Sequence, residues 1–309
     1  VSARDRLSEG GVVGSTSGPD HNVIGRPQRK VEGLDKSTGR ARYTDDIQLP
    51  GMLHGKILRS PHPHARIVSI DTSRAEALDG VHAVVTGRDM PVTYGVIPWT
   101  PDEYPLALDR VRYIGDGVAA VAAVDEDTAL EALDLIEVEY EELPPFLDPW
   151  HALEADGSTP WIHEPKKEGW NGNITKKVHL EFGEVDRLME ESEVVVEGEY
   201  FFEGTTHAPI EPHCAIGMWE PDAPGAADPA SRFARAPGAG APGAEAGAPG
   251  NLGKLTVWSS TQVPHYLHRE LARVLDVDPA RVRVLQPLVG GAFGGKSEPF
   301  DLEFCVARL

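Results

Sequence analysis

The stretch that most limits what this chain can become is Arg281-Val282-Arg283-Val284-Leu285, followed almost at once by a glycine cluster. Valines alternate with arginines at the two-residue period of a strand. Gly290, Gly291, Gly294 and Gly295 then flank a single aromatic, Phe293. Glycine admits positive φ and lets another molecule approach bare backbone N–H groups. Residues 298–309 read as a helix, which would set those groups near a helix N-terminus. Strand, glycine turn and helix in this order make a seat for an anionic or oxo-bearing ligand. The span Gly290-x-x-x-x-Gly295-Lys296-Ser297 also satisfies the pattern of a phosphate-binding loop, in which Lys296 reaches phosphate oxygens and Ser297 holds Mg²⁺. A glycine turn with no ligand is the third reading.

The rest of the chain bears on that choice. Residues 53–147 mix strands and short helices in one compact α/β domain. Strands are expected at 54–60, 65–70 and 81–86, and residues 117–124, all Gly, Val and Ala, read as a buried strand. Ser73 with Glu76, and Thr128 with Glu131, have the spacing of capping boxes. Ala129, Leu133 and Ile136 fall on one helix face, and Val138 and Tyr140 alternate in the strand after it. His62 and His64 lack acidic or cysteine companions and read as surface turn residues rather than metal ligands.

Residues 148–178 read as an irregular connection anchored by Trp150, Trp161 and Trp170. Val194 to Phe202 alternates as a strand. His207, Glu211 and His213 could suggest zinc, but a metal-binding trio needs a fourth position and outer partners, and the structural reading is preferred. Between 220 and 253 the composition turns to Pro, Gly and Ala, with Ala-Pro-Gly recurring four times. Such a segment buries too little to offset its ordering entropy and is expected to be a disordered insert in a hairpin. Residues 254–262 form a strand, then Leu267, Leu271, Val274 and Leu275 give a helix face. Thr261 is the expected N-cap and Pro264 suits the first turn. Gln262 therefore lies at a strand-to-helix junction, where a side chain can project into a site.

Charge bears on partners. The chain of 309 residues holds 29 Lys and Arg against 49 Asp and Glu, a net charge of −20. That argues against nucleic acid or an anionic membrane as the main partner. Cys214 and Cys305 are the only cysteines, so neither a disulfide framework nor a cysteine-held iron–sulfur cluster can be built from this chain. A reducing compartment is expected. With no leader-like or membrane-length apolar run, a cytoplasmic location is the expectation. The first residue is Val1 rather than Met, which implies an alternative start or a part of a longer chain.

Gly290-Gly291-Ala292-Phe293-Gly294-Gly295-Lys296 resembles the G-G-x-F-G-G-K motif of the large molybdenum-binding subunits of the xanthine dehydrogenase and aldehyde oxidase family. Residues 57–67, 70–73 and 138–144 resemble that family's hammerhead domain, and residues 34–47 the stretch leading into it. Residues 178–192 resemble the opening of its cofactor domain, 205–216 the segment beside the cofactor, and Ser260-Thr261-Gln262 its S-T-Q. A narrower likeness, at residues 103–124, is to the α subunit of 4-hydroxybenzoyl-CoA reductase. This ordered set is far more specific than one eight-residue pattern. A phosphate-loop enzyme would also need most of its sheet after Ser297, where only 12 residues follow.

The resemblance implies an α+β chain: a flexible arm (1–22), an α/β hammerhead domain (23–150), a connector (151–177) and the first part of a molybdopterin-binding α+β domain (178–309). It implies a molybdenum–pterin cofactor, with the cytosine dinucleotide form as one option, held by the pterin dithiolene. Gln262, Gly291, Phe293, Gly294 and Gly295 would contact it, Gln262 through an amide donor for a metal oxo group. The family's general-base glutamate lies far downstream and has no counterpart here. Xanthine-oxidising members place Glu directly after the motif's Lys; here Ser297 stands there and Glu298 follows, both assigned to the substrate pocket. That displacement weakens xanthine as substrate and suits an aromatic acyl-CoA, an aldehyde or an N-heterocycle no worse. Implied partners are an iron–sulfur subunit, an FAD-binding subunit and the C-terminal continuation of this subunit, as a dimer of heterotrimers. A non-catalytic remnant or assembly module is the competing reading, because residues 301–309 end inside a helix pattern with no C-cap.

Overall fold

The computed structural model describes Ile24 and residues 27–95, 101–221 and 253–309. Residues up to Ala41 form a unit of their own. Its described residues include one short helix, α1 (Gly33–Ser37), whose Leu34 carbonyl is capped by the Thr38 N–H and hydroxyl. The expected arm at 1–22 lies outside the described residues.

From Arg42 onward the chain makes a second unit, whose described residues form three three-stranded sheets. In the first, β1 (His54–Arg59) and β3 (Val81–Thr86) flank β5 (Gly117–Ala123), antiparallel to both. In the second, β2 (Ala65–Asp71) lies between β4 (Arg110–Val111) and β6 (Glu137–Glu142). Every residue of β5 is buried, as its run of Val and Ala predicts. Ala119 and Val121 pack with Ala75 of α2 (Ser73–Glu76) and Ala132 of α3 (Glu126–Asp134). Ala120 joins the cluster on the other face, with Leu106, Leu255, Leu271 and Phe304.

Helix caps fall earlier than the capping-box pattern predicts. Asp125, not Thr128, caps α3, its carboxylate accepting the Thr128 N–H at 2.8 Å. Thr72 precedes α2, and Asp71 accepts the Ser73 N–H at 2.9 Å. In both cases the carboxylate of an Asp two or three residues upstream accepts the N–H of the residue expected to cap the helix, so that residue lies inside the first turn rather than ahead of it. His64 is also corrected. It is 1% exposed, not a surface residue, and its Nδ1 lies 2.9 Å from the Pro144 carbonyl.

The connection at 148–178 holds α4 (Pro149–Glu154) and is tied by Asn171 and Asn173, whose amides donate to carbonyls of Ala152, Leu153 and Ala155. Trp161 and Trp170 are partly buried there, but Trp150 is 68% exposed and anchors nothing. After α5 (Val185–Glu191), the strand expected at 194–202 is absent: the segment joins no sheet and its side chains are exposed. Its alternation is present, but no described strand offers it a ladder.

The third sheet runs β7 (Ala215–Glu220), β8 (Lys254–Ser259), β9 (Val282–Leu285). β7 and β8 pair as a hairpin with Glu220 opposite Lys254, as expected around the insert. Residues 222–252 themselves lie outside the described residues. β8 continues through α6 (Pro264–Val274) to β9, its parallel neighbour. Leu267, Leu271, Val274 and Leu275 are all buried, as their spacing requires. Val263 rather than Thr261 is the N-cap; the Thr261 hydroxyl accepts the Val263 N–H instead, at 3.0 Å. α7 (Asp301–Arg308) closes the core with Phe304, Cys305 and Ala307. No helix among the described residues is long and apolar enough to cross a membrane.

Candidate functional site

The glycine cluster leaves β9 and turns before α7 begins. Positive φ occurs at Gly291 (107°), Phe293 (54°) and Gly294 (93°). A non-glycine residue in that region is uncommon, and its cost is borne where a shape is needed. Phe293 is 75% exposed, so no packing of its ring explains the strain. The N–H groups of Gly291, Ala292, Phe293 and Gly294 donate to no described residue. A run of free N–H groups in a turn with positive φ at three of its residues offers donors to a negative or oxo-bearing group. At Gly290 a Cβ would stand 2.6 Å from the Glu211 Cβ, so only glycine lets the turn approach that side chain.

Helix position differs from the expectation. α7 starts at Asp301, and Glu303 takes its leading donor, the Phe300 N–H, at 2.6 Å. The free donors therefore belong to the turn, not to a helix N-terminus.

Gln262 closes one side of the turn. Its N–H donates to the Lys296 carbonyl at 2.7 Å, and its Oε1 accepts the Lys296 N–H at 3.4 Å. That orientation leaves the side-chain NH₂ as an available donor. Gly295 lies against His207, with its Cβ position 2.9 Å from the ring.

The phosphate-loop reading does not survive the geometry. Lys296 is buried, and its ammonium is 2.8 Å from Glu211 Oε2 and 3.3 Å from the Pro212 carbonyl. The Ser297 hydroxyl donates to the Gly294 carbonyl. Neither side chain is available to a phosphate or to Mg²⁺.

The suspected zinc trio separates into structural roles. His207 packs on the turn, Glu211 holds Lys296, and His213 Nε2 lies 2.8 Å from Glu303 Oε1. The Ser259 hydroxyl donates to the same Glu303 oxygen at 2.7 Å, which satisfies a wholly buried carboxylate. Among the described residues no group of three or more His, Cys, Asp or Glu is placed to hold a metal ion. Glu211 and Glu303 were not legible as site residues. Glu303 left one trace, an acid inside an apolar helix run; Glu211 stood out only as a member of the suspected zinc trio, and its pairing with Lys296, 85 positions away, left none.

Beside the turn is a cavity of about 810 Å³, bordered by Arg59, Glu103, Tyr113, His207, Glu298 and Asp301 among others. Of the two residues assigned to a substrate pocket, Glu298 borders it and Ser297 does not. Burial, with Glu298, Asp102 and Asp116 nearby, pushes Glu103 up to about 7. Burial also raises Asp116 to about 6, against the N–H and charge of Arg112. Burial lifts the Cys214 thiol to about 11, so it is protonated and unreactive at neutral pH.

Two family profiles match the chain. The aldehyde oxidase and xanthine dehydrogenase a/b hammerhead domain matches residues 38–144, and the molybdopterin cofactor-binding domain matches 166–225 and 244–309. Similar curated proteins include the nicotinate dehydrogenase large molybdopterin subunit of Eubacterium barkeri, 37% identical over 90% of this chain and 57% of that one. Another is the xanthine dehydrogenase molybdenum-binding subunit of Escherichia coli O157:H7, 33% identical over 88% of this chain and 32% of that one. Among solved structures, a Cu,Mo-CO dehydrogenase matches with a TM-score of 0.69 at 28% identity, over 92% of this chain and 33% of its own. Quinoline 2-oxidoreductase from Pseudomonas putida matches at 0.65 and 29%, over 88% and 31%. The chain thus spans between about a third and just over half of the relatives it matches. The fold is a hammerhead domain plus a molybdopterin-binding domain.

Proposed function

We propose a role in a molybdenum-dependent oxidoreductase, proceeding from the fact that the chain belongs to the xanthine dehydrogenase and aldehyde oxidase family of molybdenum-binding large subunits. The observation that carries the proposal is the row of four free N–H groups at Gly291 to Gly294, beside the Gln262 amide. Such donors fit a group that presents oxo and pterin acceptors. When bound, a molybdenum–pterin cofactor supplies a metal that takes two electrons as a substrate C–H becomes C–OH with oxygen from water, two protons being released.

In this reading Gly291, Phe293, Gly294 and Gly295 offer backbone contact, and Gln262 donates from its NH₂. Glu298 borders the substrate cavity, and Ser297 supports the turn through the Gly294 carbonyl. We take the substrate to be an N-heterocycle or aldehyde that is hydroxylated. The names of the nicotinate and quinoline relatives support the heterocycle. Reductive dehydroxylation of an aromatic acyl-CoA, as in 4-hydroxybenzoyl-CoA reductase, is the alternative, supported by the likeness at residues 103–124. Electrons pass to an iron–sulfur subunit and an FAD-binding subunit in a cytoplasmic dimer of heterotrimers. The cytosine dinucleotide is the proposed pterin form. Domain limits are proposed at 23–150 and 178–309, joined by 151–177.

The test is made on the full-length subunit in its assembly. Gly294→Val places a branched side chain at φ 93° and is expected to abolish molybdenum content. Gln262→Ala removes the amide donor, whose hydrogen bond to the cofactor would be worth about 1–3 kcal/mol when buried, and is expected to lower retention without abolishing it. Turnover is measured with N-heterocycles, aldehydes and aromatic acyl-CoA esters. Native assembly free of molybdenum would sink the proposal, and turnover of the acyl-CoA alone would replace its substrate.

A further inference from the structure

We propose that Glu211 and Lys296 are positioning residues, a buried ion pair that closes the glycine turn from beneath and sets the shape of its free N–H groups. The inference rests on the molybdenum reading above. A single oxygen, Glu211 Oε2, accepts both the Gly290 N–H and the Lys296 ammonium, each at 2.8 Å. These two residues bound the turn on either side of its free donors. The Glu211 N–H also donates to the Gly290 carbonyl at 3.4 Å. At the far end, the Lys296 main chain is held in both directions by Gln262. The last residue of the turn is thus gripped by a carboxylate through its side chain and by the proposed oxo-facing residue through its backbone.

Stability alone does not account for this pair. The Lys296 side chain is 2% exposed and that of Glu211 13%. Desolvating two such charges commonly cancels their attraction, and an apolar pair of equal size is often no less stable. Glu211 Oε1 is moreover buried with no partner, a cost that a pair selected for stability would avoid. What an apolar pair cannot do is accept the Gly290 N–H and pull Lys296 to the same atom. The arrangement therefore buys geometry: it holds residues 290 and 296 together, so the donors between them face away from protein acceptors. Lys296 acts from below the turn and touches no ligand.

The test uses the full-length subunit in its assembly, with molybdenum per folded protein and thermal midpoint measured together. The double variant Glu211→Met/Lys296→Met removes both charges while nearly keeping volume. It is expected to fold with an almost unchanged midpoint and to hold molybdenum about 10–100-fold less well, the usual loss when a supporting residue of a metal site is removed. Glu211→Gln keeps an acceptor for the Gly290 N–H, so it is expected to lose less metal than Glu211→Met. A double variant that folds and keeps its molybdenum overturns the inference and leaves the functional reading intact. Unfolding of the double variant, or equal losses in Glu211→Gln and Glu211→Met, makes the pair a stability element and overturns it as well. Absence of molybdenum from the native assembly sinks both readings at once.

Discussion

Two stretches of this chain read as strands from their residues, and they meet opposite fates. Gly117 to Ala123 is paired along both edges and buried throughout. Residues 194–202 hold three valines, a tyrosine and two phenylalanines, yet pair with nothing described, and Phe201 is 92% exposed. The second stretch is the more aromatic of the two. Intrinsic preference therefore did not decide between them. β5 has β1 and β3 within reach, each brought back to it by the fold, and α2 and α3 cover one of its faces. A strand is a relation between segments, and apolar alternation only makes a segment eligible for it.

The largest test of that contrast is Val121→Asp. Val121 is fully buried at the centre of β5, so an unpaired carboxylate there is expected to cost about 4–5 kcal/mol or more and to prevent folding. Chemical denaturation, or loss of soluble protein, reads it. An effect under about 1 kcal/mol would show that β5 is not the keel of its domain.

A smaller effect comes from pH at the N-terminal end of β5. Asp116 precedes the strand with its carboxyl raised to about 6, and Glu103 beside it is raised to about 7. Both ordinarily titrate near 4, so the folded state holds these protons more tightly than the unfolded one. Stability from these groups is therefore expected to fall as pH rises from about 4 to about 7 and to level off above. Thermal midpoints across that window measure it, and Asp116→Asn should flatten the slope. A slope of opposite sign, unchanged in the variant, would refute the assignment.

The smallest expected effect is at Val196→Asp, in the unpaired stretch. Val196 is 87% exposed, and the change should stay within about 0.5 kcal/mol in this chain. Repeating it in a full-length assembly sharpens the comparison. A cost of several kcal/mol there would show that a partner segment completes the ladder.

The same distinction separates what was legible in the sequence from what was not. β1, β2, β3, β5 and the apolar face of α6 follow from local period, because each residue's burial depends on its neighbours in sequence. The glycine turn was legible for the same reason, since φ near 93° at Gly294 is a local demand. The α3 cap was misplaced by three residues because the Asp125 carboxylate takes the Thr128 N–H, while the α2 and α6 caps shifted by one and two residues. The Glu211–Lys296 pair was invisible, since nothing near either residue announces the other. His64 illustrates the converse. Its lack of acidic or cysteine companions left it read as a surface turn residue, while the Pro144 carbonyl, far off in sequence, holds it inside.

The hairpin of β7 and β8 has one more consequence. Glu220 and Lys254 are register partners, so the chain departs from the sheet and returns to it at the same rung. Whatever lies between them can lengthen or shorten at an entropic cost that grows only with the logarithm of its length. The rung works as a port in the scaffold. Evolution, or a protein engineer with a fluorescent tag or an affinity handle, can load cargo there while the strands on either side keep their register.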